Sequence, residues 1–486
     1  MRIREILKSS SKISGASVLG GLLSAAANIV VARRLGPEGV GVIGLVKLWQ
    51  LYANFAKPGF LQAAYREMLH LSGQSRPDEA RQVQNIALTG EGAFVLIPFG
   101  VMLAIGAFHF HETRLRAAMF IAAATFLFTS LYQFADTVQW SRQQFARIAK
   151  ASLVNQLAQP AFLLGGLFCF GLYGALVAPG LATLLAFAYY LTTGVAEGYA
   201  PAWDSAEAWR LMKIGLPMSL YGLLYWGFRT SDSAMVASWL SIQDLGYFTF
   251  AMMFIAQGCQ LVSDFINVLQ ANILTELGSV GKVRPLSGKL QRVALLVCLS
   301  TGFAAGLSES LFKPVIALVA PKMLGSIPVF NILTLNIVCI TVPMTAYAVM
   351  ISAVVDRQKG VAWIQGLGLA LNVALGWVSV RAGLGLAGIA WSSAASQLAA
   401  AATAYGLLHG HLFEGSGPAE PLEFYGTGLV LIGAAFLAHF VMDAVVAAPA
   451  RLAIVAAIWA PAAAALYWRR WAHLHWGAAA PAVRPV

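Results

Sequence analysis

Residues 215–247 read GLPMSLYGLLYWGFRTSDSAMVASWLSIQDLGY, an apolar run long enough for a membrane helix, with Arg229 and Asp232 near its middle. A charge at the centre of a membrane helix costs roughly 2.5–3.5 kcal/mol on the insertion scale, so both must face protein or water. At 100° per residue, Tyr221, Tyr225, Arg229 and Asp232 share a face about 80° wide, with Gly222 beside them. The helix therefore carries a polar seam. Two readings are open. Arg229 and Asp232, three residues apart, neutralise each other as an internal ion pair, or they serve a substrate and an ion in transit.

The rest of the chain has the same character. Of its 486 residues 59% are hydrophobic and only 11% charged, against about 25% charged in soluble domains. Apolar runs near bilayer length recur at 13–34, 40–63, 85–108, 115–136, 151–171, 173–194, 213–236, 243–270, 290–312, 325–350, 360–381, 384–407, 424–444 and 450–470. The expected fold is an all-α polytopic membrane protein of about 14 transmembrane helices. A membrane strand barrel is excluded because the runs are continuous, not alternating segments of about ten residues. The first run follows Arg2, Arg4, Lys8 and Lys12 but is nearer a full span than a signal-peptide core, and is read as uncleaved.

Lysine and arginine set the orientation. A cytoplasmic N-terminus places 21 of the 32 inside, 8 outside and 3 (Lys47, Lys57 and Arg229) within spans. Both termini are then cytoplasmic, with Ser287 and Ser416 inside and Ser326 outside. The net charge of +11 fits basic loops such as 282–292 lying on an anionic leaflet and calls for no nucleic acid. Cys169, Cys259, Cys298 and Cys339 all fall in spans, with neither a CxxC pair nor a disulfide framework.

A repeat runs through the chain. A shift of 201 residues lays Gly21-Leu22-Leu23 on Gly222-Leu223-Leu224 and Asn28 on Arg229; after that a shift of 205 lays Leu35 on Leu240 and Gly41 on Gly246. Gly171-Leu172-Tyr173-Gly174 and Gly385-Leu386-Ala387-Gly388 echo each other at corresponding joints. Two pseudo-symmetric six-helix lobes plus two C-terminal helices follow, the lobes related by an axis along the membrane normal because six is even. The expected domains are an N-lobe at 1–194, a linker at 195–212, a C-lobe at 213–408 and the last two spans with a tail at 409–486. Span 2 sets Lys47, Gln50, Asn54 and Lys57 on one face, a cationic surface that implies an anion; snorkelling is the competing account for Lys57. Span 8 carries Asp264 on a seam with Gln257, Gln260 and Asn267. The stretch 65–84 reads as a polar cytoplasmic loop.

Soluble catalytic chemistry finds no footing. Gly383–Gly388 satisfies GxGxxG only in form, since it joins two apolar helices instead of following a strand. The pairs His109/His111, His409/His411 and His473/His475 gather no further ligands. No Walker loop, GxSxG or HExxH is present, so neither a cofactor nor a metal nor an enzymatic step is expected.

RRLGPEGVGVIGLVKLW (33–49), the 215–251 stretch, and DRQKGVAWIQGLGLALNVALGW followed by GLGLAGIAWSSAASQ together resemble the polysaccharide-transporter (Wzx-like O-antigen and exopolysaccharide flippase) branch of the multidrug/oligosaccharidyl-lipid/polysaccharide exporter superfamily. The likeness spans about residues 10–410. It implies a two-lobed flippase of the bacterial inner membrane that moves undecaprenyl-pyrophosphate-linked oligosaccharide from the cytoplasmic to the periplasmic leaflet by alternating access. Asp232 looks like the family's seventh-span aspartate. Gly36, Gly41 and Gly246 look like its turn glycines, while Ser241-Ile242-Gln243 departs from Gly36-Pro37-Glu38 in the second turn. The candidate substrate residues are Lys47, Lys57 and Arg229 for pyrophosphate and Gln50, Asn54, Asn28, Tyr221 and Tyr225 for sugars; Asp232 and Asp264 are the candidates for ion coupling. Expected partners are the lipid-linked oligosaccharide, the bilayer, and a polysaccharide polymerase with other glycan-assembly proteins. The alternative is a cation-coupled multidrug exporter of the same fold, for whose cationic substrates a lysine-lined lobe is a poor match. An enzyme on the same lipid would need a longer outer loop than any here.

Overall fold

The computed structural model describes all residues except 1–2, 75, 195–198, 258, 260–280, 353, 356, 445–449 and 461–486. The helices are α1 (Ile3–Phe55), α2 (Phe60–Gly73), α3 (Pro77–Phe108), α4 (Thr113–Ser141), α5 (Phe145–Thr192), α6 (Ser205–Trp239), α7 (242–257), α8 (Ser287–Val319), α9 (Ile327–Met350), α10 (Gln358–Arg381), α11 (Gly385–Leu412), α12 (Ala419–Ala444) and α13 (Ala450–Ala460). Among the described residues there is no strand. Two helices hold two spans each. α1 turns at Gly36 (φ 68°) and α5 at Gly171 (φ 60°), left-handed conformations that glycine adopts without a Cβ penalty. Divided there, the helices follow the expected apolar runs in order, α7 and α13 being described in part. Seven of the described helices are each long and apolar enough to cross a membrane by length and composition.

The expected polar loop at 65–84 is mostly helix. Phe60, Leu61, Ala64, Met68 and Leu71 recur at helical spacing and are buried against Val83, Ile86 and Phe134. Composition hid a 3.6-residue period there. Pro58 and Gly59 interrupt span 2 between α1 and α2, and Gly59 takes φ 69°. The later part of the expected linker forms the start of α6. Asp204 caps it, its carboxylate accepting from the Ala206 and Glu207 amides, and Ala208 and Leu211 are buried with α2 and α3.

The cores fall largely by half. One joins Val31, Val46, Phe126 and Leu176 of α1, α4 and α5; another joins Phe228, Leu335, Ile364 and Leu408 of α6 and α9 to α11, and takes in Leu431 and Trp459 of the last two helices. A third crosses between halves, packing Ala32 and Val40 with Phe248, Phe330 and Ile389. Where it crosses, the repeat becomes physical. A Cβ on Gly41 would strike the Ile242 carbonyl, and one on Gly246 would strike the Pro37 carbonyl. The shift of 205 that relates Gly41 to Gly246 also relates Pro37 to Ile242, so one backbone crossing is made twice. One turn on, Gly44 makes room for the Thr249 side chain.

The three positions expected to report orientation need adjusting, because Ser287 and Ser326 are buried. Lys322 lies exposed beside Ser326, and Glu414 lies exposed near Ser416. In membrane vesicles, cysteine at position 414 should label from the cytoplasmic side and cysteine at 322 from the outside; the reverse at both would invert the topology.

Candidate functional site

The two faces singled out in the sequence meet different fates. On span 2, Gln50 donates its amide to the Ala122 carbonyl at 3.1 Å and to Thr125 Oγ1 at 2.6 Å. Its donor is thereby used in holding α1 to α4. Lys57 requires a correction. Its Nζ lies 2.7 Å from Glu91 Oε1 of α3, with both side chains buried, and reaches Gln133 Oε1 at 3.5 Å. The ammonium neither snorkels nor stands ready for a head group, because Glu91 already neutralises it. What remains on this face is Lys47 and Asn54. Lys47 is exposed and has no partner among the described residues. Asn54 keeps a buried Oδ1 without a donor.

On α6 the charges part. Arg229 and Asp232 do not pair. Asp232, 3% exposed, accepts from Asn372 Nδ2 of α10 at 2.5 Å. The same amide reaches Ser231 Oγ at 2.8 Å, while Ser392 Oγ of α11 donates to Asn372 Oδ1 at 3.1 Å. Ser393 also bonds to Asp232 and accepts from Asn336 of α9 at 3.0 Å. The carboxylate is thus tied into a polar network joining four helices of the second half. Arg229 turns elsewhere, its guanidinium 4.5 Å from the Tyr225 ring centroid, and Tyr221 stacks on Tyr225 at 6.3 Å. Tyr347 of α9 and Cys259, beyond α7, lie within its electrostatic reach. This half-buried cation has no carboxylate partner among the described residues.

Span 1 brings the halves together by subtraction. Gly20 and Gly21 of α1 leave room for the Gln156 amide of α5 and the Gln257 amide of α7, respectively, and Asn28, partly exposed, lies two turns on. Tyr52 meets Thr230 at 3.4 Å, one position from Ser231. Asp264, with Gln260 and Asn267, lies outside the described residues.

Sequence reading missed Glu91, Asn336 and the linking role of Asn372. An acid or amide inside an apolar run is itself a signal, and Glu91 in the third run carried it. Glu309 and His439, paired at 3.0 Å and buried between α8 and α12, were missed in the same way.

Profiles and structures of known proteins agree with this architecture. The profile of a family described as polysaccharide biosynthesis protein matches residues 30–279. No curated protein matches the chain in sequence. Among solved structures, the lipid II flippase MurJ in an inward closed conformation is similar at a TM-score of 0.72 and 11% identity, covering 94% of this chain and 98% of that one. A multidrug resistance MATE family transporter of the MOP superfamily, inward-facing, is similar at 0.67 and 16% identity, covering 81% and 94%. A MOP superfamily transporter from Pyrococcus furiosus follows at 0.58 and 15%, covering 83% and 95%. At these identities the likeness establishes the fold.

The Lys57–Glu91 pair makes a direct prediction. Lys57→Met strands a buried carboxylate at a cost of about 3–5 kcal/mol, so membrane abundance should fall sharply. Lys57→Met/Glu91→Leu should restore it, as measured by immunoblot of membranes and by melting of the purified protein.

Proposed function

Because the chain belongs to the polysaccharide biosynthesis protein family, we propose that it is a flippase for undecaprenyl-pyrophosphate-linked oligosaccharide, carrying it from the cytoplasmic to the periplasmic leaflet of the inner membrane. The observation that carries this reading is the pair of cations without a carboxylate partner among the described residues, Lys47 on α1 and Arg229 on α6. Ionised groups at membrane depth need compensation. A pyrophosphate supplies it, arriving between one cation from each half of the repeat. The Tyr221–Tyr225 stack beside Arg229 and the unsatisfied Asn54 oxygen offer the aromatic and amide surfaces that sugars favour.

In this proposal residues 1–194 and 213–408 act as the two lobes, with 195–212 as the link and 409–486 as an addition to the second lobe. The substrate closes the lobes because its anion touches both, and differential affinity for the two states drives the exchange between them. Asp232 acts through its network. A cation or proton bound at that carboxylate alters the hydrogen bonds that join α6 to α10 and α11, and so the position of Arg229 one turn away. The protein performs no covalent step. A cationic drug is a poor occupant of a site whose unpaired charges are both positive.

In cells that depend on this protein for glycan export, Lys47→Ala and Arg229→Gln should each abolish export with near-normal protein abundance. Loss of a desolvated ionic contact should weaken binding of the lipid-linked sugar by about 2–5 kcal/mol. Normal export in both variants would remove the anion-binding reading. Asp232→Asn keeps an acceptor for Asn372 and should remain folded and bind substrate while transporting slowly; wild-type transport rates in that variant would exclude ion coupling through Asp232.

A further inference from the structure

A second basic site lies apart from Lys47 and Arg229, where the end of α4, both ends of α5 and residues 193–194 meet. One pocket of about 530 Å³ is lined by Arg147, Lys150, Tyr189, Thr192, Thr193 and Gly194. A neighbouring pocket of about 270 Å³ shares Gly194 and adds Arg81, Gln84 and Arg142. Four cations therefore surround one turn, and no carboxylate lines either pocket among the described residues.

The donors left free in this basin are mostly charged. Thr192 and Thr193 donate to the Tyr189 and Tyr190 carbonyls of their own helix, and Arg142 donates to Gln84 Oε1 at 2.9 Å. Arg147 and Lys150, three residues apart on α5, have no partner among the described residues. The first turn of α5 adds the positive end of its dipole. The depth is marked by exposed Trp140, whose ring meets Phe145 edge-on at 5.8 Å; tryptophan at a helix end is characteristic of the head-group region.

We propose that this basin binds a phosphate group at the membrane surface, the head group of an anionic phospholipid being the source within reach at that depth. Basic pockets between membrane helices recognise such head groups by charge and hydrogen bonding. The site shares no residue with the proposed pyrophosphate site at Lys47 and Arg229 and does not depend on the identity of the transported lipid.

The test uses the full-length protein purified in detergent, with phosphatidylglycerol retention read by native mass spectrometry. Arg147→Ala/Lys150→Ala should lower retention about thirtyfold, the factor for two charges at a membrane surface. Lys313→Ala/Lys322→Ala, two exposed lysines away from the basin, should leave it unchanged. Arg147→Gln alone, a milder variant, should lower it about fivefold. Inorganic phosphate at millimolar concentration distinguishes the sources: no displacement assigns the site to lipid, and displacement dependent on Arg147 and Lys150 assigns it to free phosphate. Equal retention in wild type and in the folded single and double variants, with no phosphate effect, overturns the proposal.

Discussion

Two carbonyl groups occupy space that side chains would otherwise fill. The Ile242 oxygen sits over Gly41 and the Pro37 oxygen over Gly246, so the starts of α7 and of the second span of α1 cross at backbone distance. This contact fixes where each half's second span begins. It thereby fixes the disposition of the polar faces that follow, Lys47 two turns beyond one crossing and the α6 seam just before the other. Small residues are how membrane helices approach closely when the lipid supplies no hydrophobic drive for association. Here the device is used reciprocally, once from each half.

The ionisable groups in the spans then sort by whether protein completes them. Lys57 has Glu91, Asp232 has Asn372 with two serines, and Glu309 has His439. In each, protein groups meet the hydrogen-bonding capacity, and in the Lys57–Glu91 pair the charge as well. Lys47 and Arg229 are the exceptions among the residues singled out. They differ from the others in exposure as well as pairing, which leaves them, and not the buried pairs, available to a bound anion.

Faces were legible in the sequence and partners were not. Periodicity placed Tyr221, Tyr225, Arg229 and Asp232 on one side of a helix, and the structure keeps them there. It could not say that Asp232 turns toward α10 while Arg229, at one edge of that seam, lies over Tyr225. Spacing within a helix made an ion pair between them available, but the choice is made by Asn372, 140 residues away. Lys57 failed in the same way, because its partner lies on the next span. The repeat was visible as aligned glycines, and its meaning as a crossing needed the opposing carbonyls. The 65–84 stretch was misjudged because its polarity was weighed ahead of its period.

The interruption at Pro58 and Gly59 carries a consequence for how the halves can separate. Gly59 turns the chain out of the helix with φ 69°, and the Lys57 carbonyl at this break accepts from Ser219 Oγ of α6 at 3.0 Å. Gly59 and Gly215 meet backbone to backbone beside it. One half thus satisfies a polar group of the other at a depth where an unsatisfied carbonyl costs several kcal/mol. Drawing α6 away from this break leaves that oxygen in need of a new donor, and water is the only one that can follow the widening gap. Separation at this end is therefore bound to hydration: the crevice must fill as it forms.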